Sequence, residues 1–297
     1  MEMVEIHDID EFLRLAPSGC EYYAHFYRGE PSFFPYRTPA VWRLPIEDDR
    51  IAHNLMRSGV ARLFFRREIG PHIKMEWGIP LHRGQWFGEY DLCNWANGVP
   101  SLDQISWQVV GLLQHYGYKT SYLDMTFDPT TALYFSCHDA AGKAISDGLG
   151  YVYHWQRGDV CRKLMERLIL TSITRLSEFL RTEKHYSTSR PETQKAGSIW
   201  IAAGHEREDY IQDTLQRLNE LATVYVIDRA SIPPRFFASR DLFPQDAIPS
   251  AIAAATAEWV VELRYSIDQA HEEENTRLVE ILSRARALVQ CPTSATG

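Results

Sequence analysis

Arg28 and Gly29 come at the end of a strand-like aromatic run, Tyr22-Tyr23-Ala24-His25-Phe26-Tyr27. A guanidinium offers planar, paired donors to phosphate, and a glycine lets backbone approach a bound group closely. Together they have the makings of a phosphate-binding turn. Asp124-Met125-Thr126, followed by Asp128-Pro129, adds a carboxylate, a hydroxyl and the start of a helix, whose unpaired N–H groups attract anions. Glu192 and Gln194 stand two residues apart and share a face if that stretch is extended. His115 closes a helix, where it either packs or joins the binding group. An anion held at Arg28, with a hydroxyl and an acid or amide nearby, suits a phosphate-bearing ligand such as a nucleotide.

Each of these residues also has a structural reading. Arg28 could pair with Asp124, the Asp128-Pro129 start is explained by helix capping alone, and Glu192-Thr193-Gln194 lies in a polar stretch that could be plain loop. Other chemistries leave no signature. There is no phosphate-binding G-x-x-x-x-G-K-[ST], no G-x-G-x-x-G, no G-x-S-x-G elbow and no H-E-x-x-H. The histidines do not pair at metal-ligand spacing, so no metal is expected.

Around these residues the pattern predicts a short helix over Ile9–Ala16, a strand over Glu21–Arg28 and a proline-punctuated loop from Pro31 to Pro45. Glu47-Asp48-Asp49 opens a helix with Ile51, Leu55, Met56, Leu63 and Phe64 on its apolar face. Gly70–Pro100 reads as irregular. Ser101-Leu102-Asp103-Gln104 is a capping box for a helix that Gly117 should end. Thr120–Asp124 reads as a strand and Asp128-Pro129 as the start of the next helix. Gly148–Trp155 alternates like a strand, and Cys161–Glu183 reads as helix. Strands follow at Gly197–Ala203 and Thr223–Asp228, with a helix between them. From Val260 the chain is mostly helical, and Leu278, Ile281, Leu282, Ala285, Leu288 and Val289 form a stripe fit to dock on the body or on a second copy. Strands dispersed among helices of uneven length favour an α+β fold over a doubly wound one. We expect a mixed or antiparallel sheet core surrounded by helices over residues 1–245, and a helical C-terminal segment over 246–297.

The net charge of −8 argues against a wholesale electrostatic grip on nucleic acid. One stretch runs the other way: Arg50, Arg57, Arg62, Arg66, Arg67, Lys74 and Arg83 face only Glu68 and Glu76. It is either a solvated helix face or a local contact for a polyanion. The five scattered cysteines, with no C-x-x-C, read as free thiols in a reducing compartment. With no apolar run of membrane-spanning length and an acidic first stretch, a cytoplasmic protein without membrane contact is expected.

Three stretches together resemble the FRG-domain family, named for a Phe-Arg-Gly motif. They are Tyr27-Arg28-Gly29-Glu30; then Trp107, Leu112-Leu113-Gln114-His115-Tyr116-Gly117, Thr120-Ser121-Tyr122-Leu123-Asp124-Met125-Thr126, Pro129 and Ala132-Leu133-Tyr134-Phe135; and last Gln194, Gly197 and Leu242-Phe243-Pro244. Ser121 stands where the family usually has Arg, and Met125 where it usually has Trp. The order of Arg, Thr-bearing strand and later acid is also similar to the ADP-ribosyltransferase pattern of the Arg–Ser–Glu type. That resemblance implies NAD as substrate, with Arg28 on the pyrophosphate and Gly29, Asp124, Thr126 and His115 around the nucleotide. Thr126 would shape the nicotinamide side, and Glu192, or failing it Gln194, would steady the charge on the ribose.

The family's bacterial and phage settings imply a toxin or an anti-phage effector. Two alternatives stand beside that reading. One is a non-catalytic nucleotide or nucleic-acid binding module using Arg28 and the basic stretch. The other is a protein-interaction component of a defence system, docking a partner or a second copy through residues 260–290.

Overall fold

In a computed structural model, residues 1–17, 24–34, 38–69, 102–139, 142–164, 167–172, 193–201, 208–233, 242 and 247–290 are described. Seven strands form one sheet: β1 (Glu2–Ile6), β2 (His25–Glu30), β3 (Tyr122–Thr126), β4 (Leu149–Gln156), β5 (Leu168–Ser172), β6 (Ala196–Ile201) and β7 (Thr223–Asp228). Their order is β1-β7-β4-β2-β3-β6-β5. β1 runs parallel to β7, and every other pair is antiparallel, so the sheet is mixed as expected. Eight α-helices surround it among the described residues: α1 (Ile9–Leu15), α2 (Glu47–Phe64), α3 (Leu102–His115), α4 (Pro129–Ser136), α5 (Arg157–Leu164), α6 (Glu208–Glu220), α7 (Ile248–Glu272) and α8 (Thr276–Gln290). The fold is α+β with a helical C-terminus.

Strand periodicity sorts the core into two faces. Phe26, Leu123, Met125, Tyr153, Trp155, Ile199 and Val224 point one way, onto Val160 and Leu164 of α5 and Ile211, Leu215 and Leu218 of α6. The Trp155 indole donates to Leu218 O (2.8 Å) and pins α6 to that face. Ile6, Tyr27, Val152, Tyr225 and Ile227 point the other way, onto Phe12 of α1 and Ala132, Leu133 and Cys137 at α4. Asp8 caps α1 by accepting from Glu11 N (2.7 Å). Asp128 caps α4 by accepting from the backbone N–H of Thr130 and Thr131, with Pro129 leading the helix. Gly117, at φ +95°, closes α3 as expected.

A third cluster joins α2, α3, α7, α8 and Ala196. Gly59 makes room there for Trp259, whose ring would lie 2.1 Å from a Cβ at that position. Most of the C-terminal stripe is buried in this cluster: Leu282 and Ala285 are covered, with Leu278 and Leu288 packed beside them, and Ile281 is buried as well. The side chain of Val289 lies outside the described residues.

Charges match along the same seam. Arg62 pairs with Glu262, and Arg66 and Arg67 with Glu258, from α2 and its π-helical extension to α7. Asp48 and Asp49 at the start of α2 meet Arg277 and Arg284 of α8. The Arg62 and Arg50 guanidiniums also lie over Trp259 and Trp42, each 5.3 Å from the ring centre. Much of the basic stretch is therefore matched within the chain. Lys74, Arg83 and the rest of Gly70–Pro100 fall outside the described residues.

One expectation needs correction. Cys161–Glu183 is not one helix: α5 ends at Leu164, and Leu168–Ser172 forms β5, whose backbone pairs with β6 from Leu168↔Ile201 to Ser172↔Gly197. The helix read from Val260 onward is already formed at Ile248, two residues into the expected 246–297 segment.

Candidate functional site

The sheet is almost divided in its middle. β2 pairs with β4 along its whole length, from His25↔Gln156 to Glu30↔Tyr151, yet meets β3 only at Tyr27↔Thr126. Beyond that contact the two strands part. A cavity of about 390 Å³ opens between Arg28, Gly29 and Glu30 of β2 and Asp124, Met125 and Thr126 of β3. Gln114 and His115 from the end of α3, Tyr134 and Phe135 of α4, and Gln194 complete much of its wall.

The Arg28 side chain spans the gap in the backbone ladder. Its Nη1 donates to the Asp124 carbonyl (2.7 Å), and its Nε donates to Glu30 Oε1 (2.5 Å). Nη2 has no hydrogen-bond partner among the described residues. Burial works to lower the guanidinium's pKa, but the charges of Glu30 and Asp124 outweigh it, so Arg28 titrates above its ordinary value. The side chain is 18% exposed: enclosed, but not sealed. Its carboxylate partner is Glu30 rather than Asp124.

Asp124 turns its acid elsewhere. Oδ1 lies 3.8 Å from His115 Nε2, and it accepts no hydrogen bond from the described residues. The rest of the Asp124 side chain is partly exposed.

Thr126 is buried, and its hydroxyl donates to Gln194 O (2.6 Å) while accepting from Asp128 N (3.0 Å). Gln194, also buried, donates through Nε2 to Leu242 O (3.0 Å). Lys195, in the turn from Gln194 into β6, has φ +45°, a left-handed conformation that costs a residue with a Cβ. These bonds join the end of β3 to the start of β6. Glu192 lies outside the described residues.

Gly29 serves a different close approach from the one expected. A Cβ there would meet Ala132 O at 1.8 Å, and one at Gly150 would meet Ser136 O at 2.6 Å. The missing side chains let α4 lie directly on β2 and β4. That contact sets the height of Tyr134 and Phe135 over the cavity.

Several contributors were not singled out from sequence. Glu30 is two residues beyond Arg28 on a strand and hence on its face; that spacing could have found it. His138 stacks on Tyr134 with ring centres 3.7 Å apart, and its Nδ1 lies 2.7 Å from Tyr134 O. A carbonyl only accepts, so Nδ1 carries the hydrogen, and in the neutral ring Nε2 is the acceptor nitrogen. Asp139 reaches the wall from a turn and gives no sequence signal. Arg229, nearly buried, donates to the carbonyls of Ser136 (3.0 Å), Asp147 (2.9 Å) and Pro31, fastening the end of α4 to the segment that leaves β2.

Behind Tyr27 the ring of His154 stacks at 4.8 Å, and its Nε2 meets His25 Nδ1 at 3.0 Å. Burial and then the neighbouring His25 lower the His154 pKa to about 4.

Among the described residues no helix is long and apolar enough to cross a membrane, and no group of three or more His, Cys, Asp or Glu could hold a metal ion. Residues 91–144 match the family model of the FRG domain. The described part of that match holds α3, β3 and α4, and with them His115, Asp124, Thr126, Tyr134, Phe135 and His138. Arg28, Gly29 and Gln194 approach the cavity from outside it. No curated protein and no solved structure matches the chain.

Proposed function

We propose that this chain, with its FRG-domain match along one wall of the cavity, is an enzyme that binds an oxidised nicotinamide nucleotide there and breaks its N-glycosidic bond. The observation that carries the reading is the meeting of Arg28, Thr126 and Gln194, from three distant parts of the chain, on a single cavity. Its volume of about 390 Å³ lies within the range of roughly 300–1,000 Å³ common for small-molecule sites. One end offers a guanidinium nitrogen to phosphate, and the Glu30 and Asp124 carboxylates line the same space. Tyr134, Phe135 and Phe34 supply aromatic walls for a planar ring.

In the reaction the bond from ribose C1′ to the pyridinium nitrogen breaks, and its electron pair leaves with nicotinamide. The carbon passes through an oxocarbenium-like state, which nearby carboxylates stabilise. Water or an acceptor nucleophile then attacks C1′ and yields its proton to a base, for which the His115–Asp124 pair stands on the wall. The products are nicotinamide and ADP-ribose, or nicotinamide and an ADP-ribosylated acceptor. Drawing down or diverting the cell's NAD in this way is the activity expected of a toxin or anti-phage effector.

Nicotinamide release from NAD is the test, run with and without cell lysate as a source of acceptors. Wild type should turn over, and Arg28→Ala should lose on the order of a hundredfold or more in rate, the scale of removing one preorganised charge contact. Expression of wild type, but not of Arg28→Ala, should arrest growth. No release by wild type across pH and acceptors overturns the enzymatic reading. A ligand-induced rise in melting temperature without product would mark a binding module instead.

A further inference from the structure

We infer that Glu30 is the charge selector of the cavity, making it prefer a ligand with a cationic ring over the same ligand with a neutral one. The inference deepens the proposed function and rests on it. It starts from the charges on the wall. Arg28 is the one Lys or Arg among the described lining residues, against the carboxylates of Glu30, Asp124 and Asp139. The remaining titratable groups that reach the wall are Tyr27, His115, Tyr134 and His138. His115 has Asp124 as its near charge, and His138 stands on Tyr134. Arg43, beside the wall, feels the charges of Arg28, Glu30 and Asp124, so with neutral histidines two guanidiniums face three carboxylates and the excess is still negative.

Glu30 decides how that excess is felt. It holds Nε of Arg28 while the Asp124 carbonyl holds Nη1, so only one face of the guanidinium fork is left for a ligand. With Nε taken by Glu30 and one Nη1 hydrogen by Asp124, the side-on pair of parallel bonds through which arginine holds a dianionic phosphate is no longer open, and Nη2 is the nitrogen with both hydrogens to offer. The guanidinium's charge is also offset at close range by the Glu30 carboxylate. That carboxylate is only 13% exposed, where charges are weakly screened and act strongly on a guest. A guest that pairs a positive ring with a phosphate suits this wall, and the pyridinium of an oxidised nicotinamide nucleotide has that arrangement. Its reduced, neutral form lacks the feature that the carboxylates reward.

Binding, rather than turnover, tests this selector. A carbocyclic, uncleavable analogue of the oxidised dinucleotide would be compared with the reduced dinucleotide by calorimetry. Wild type should favour the oxidised form by roughly tenfold or more, and Glu30→Gln should bring the ratio down to about one to three. The amide keeps the size of the side chain and an acceptor for Arg28 Nε, so inorganic pyrophosphate should bind more tightly to this variant. Glu30→Asp keeps the charge but falls short of Nε, and it should retain the preference.

If Glu30 only positions Arg28, the Asp variant will lose affinity for both forms and the Gln variant will keep the wild-type ratio. A wild-type ratio in the Gln variant, or a lost preference in the Asp variant, refutes the selector role. Equal binding of both forms by wild type refutes it too, while leaving the proposed function standing. Binding of neither form overturns both. A measurement on wild type alone guards against a variant that fails to fold: the 1-methylnicotinamide cation should compete for the site roughly tenfold better than neutral nicotinamide. Equal competition refutes the inference.

Discussion

Replacing Gly29 by alanine should damage both the fold and the cavity, and the size of the effect can be worked from the contact it creates. The added methyl would lie 1.8 Å from Ala132 O, 2.8 Å from Ala132 C and 2.8 Å from Ser136 N. All three are backbone atoms of α4 or its last turn, so no rotamer change relieves the clash. Real Cβ atoms do not come closer than 3.0 Å to such neighbours, so the helix must retreat by at least 3.0 − 1.8, or 1.2 Å, on this side. Interiors packed at crystal-like density do not yield that distance freely, and overpacking costs about 1–3 kcal/mol. A backbone clash belongs at the top of that range, about 3 kcal/mol. At roughly 2–4 °C per kcal/mol for a chain near this size, the melting temperature should fall by about 6–12 °C. Tyr134 and Phe135 move with the helix, so ligand affinity should fall as well.

The natural control is Gly158→Ala in α5, where nothing lies within 4 Å of the new methyl. Alanine there removes a flexible residue from a helix and should stabilise the chain by about 0.5–1 kcal/mol. Thermal and urea unfolding of both variants settle the matter. An unchanged melting temperature for Gly29→Ala, or equal effects at the two sites, would mean that α4 does not rest on β2 as described.

Three further outcomes follow from other contacts. His154 holds a pKa of about 4 against an ordinary value near 6.5, so stability is fully present above pH 6.5 and is lost as the unfolded chain takes up a proton between pH 6.5 and 4. At about 1.4 kcal/mol per unit that loss is about 3.5 kcal/mol, and His154→Gln should flatten this acid limb in urea titrations at several pH values. A limb as steep in the variant would contradict the assignment. Arg229→Met leaves the buried Ser136 carbonyl without its donor and breaks two part-buried bonds, to Asp147 and Pro31, and should cost about 2–3 kcal/mol, measurable by urea unfolding; a neutral result would show that these bonds do not hold the loops. Lys195→Gly relieves a left-handed backbone and should raise stability by up to about 1 kcal/mol in the same assay, whereas a loss would point to a role for the lysine side chain.

Local chemistry made parts of this architecture readable in the sequence. The Asp128-Pro129 cap, the glycine stop after α3 and the amphipathic C-terminal stripe are all encoded within a few residues of where they act. What depended on distant pairing was not readable. Leu168-Ile169-Leu170-Thr171 is short and apolar, fits helix or strand, and becomes a strand by pairing with β6. Glu2–Ile6 is equally short, and β7, some 220 residues away, makes it a strand. Arg229 bonds to backbone carbonyls 82 to 198 positions distant, and carbonyls carry no residue signature.

The candidate site divides along the same line. Arg28, Asp124 and Thr126 drew notice by residue type and order, and all three stand on the cavity wall. Their partners could not be assigned without the fold. By residue type Arg28 can hold a phosphate or pair with the Asp124 carboxylate, and the parting strands bring it to the Asp124 carbonyl and to Glu30. Gly29 was read for its closeness to a ligand, and the close neighbour is a helix.

The central claim is that a nucleotide occupies the gap between β2 and β3, and a co-crystal structure with the uncleavable oxidised analogue addresses it directly. The account predicts a phosphate oxygen within hydrogen-bond reach of Arg28 Nη2, with the pyridinium ring beside Tyr134 or Phe135 and facing the Glu30 and Asp124 carboxylates. Density for the analogue elsewhere on the chain, with Arg28 still closed on Glu30 and an unfilled gap, would contradict it.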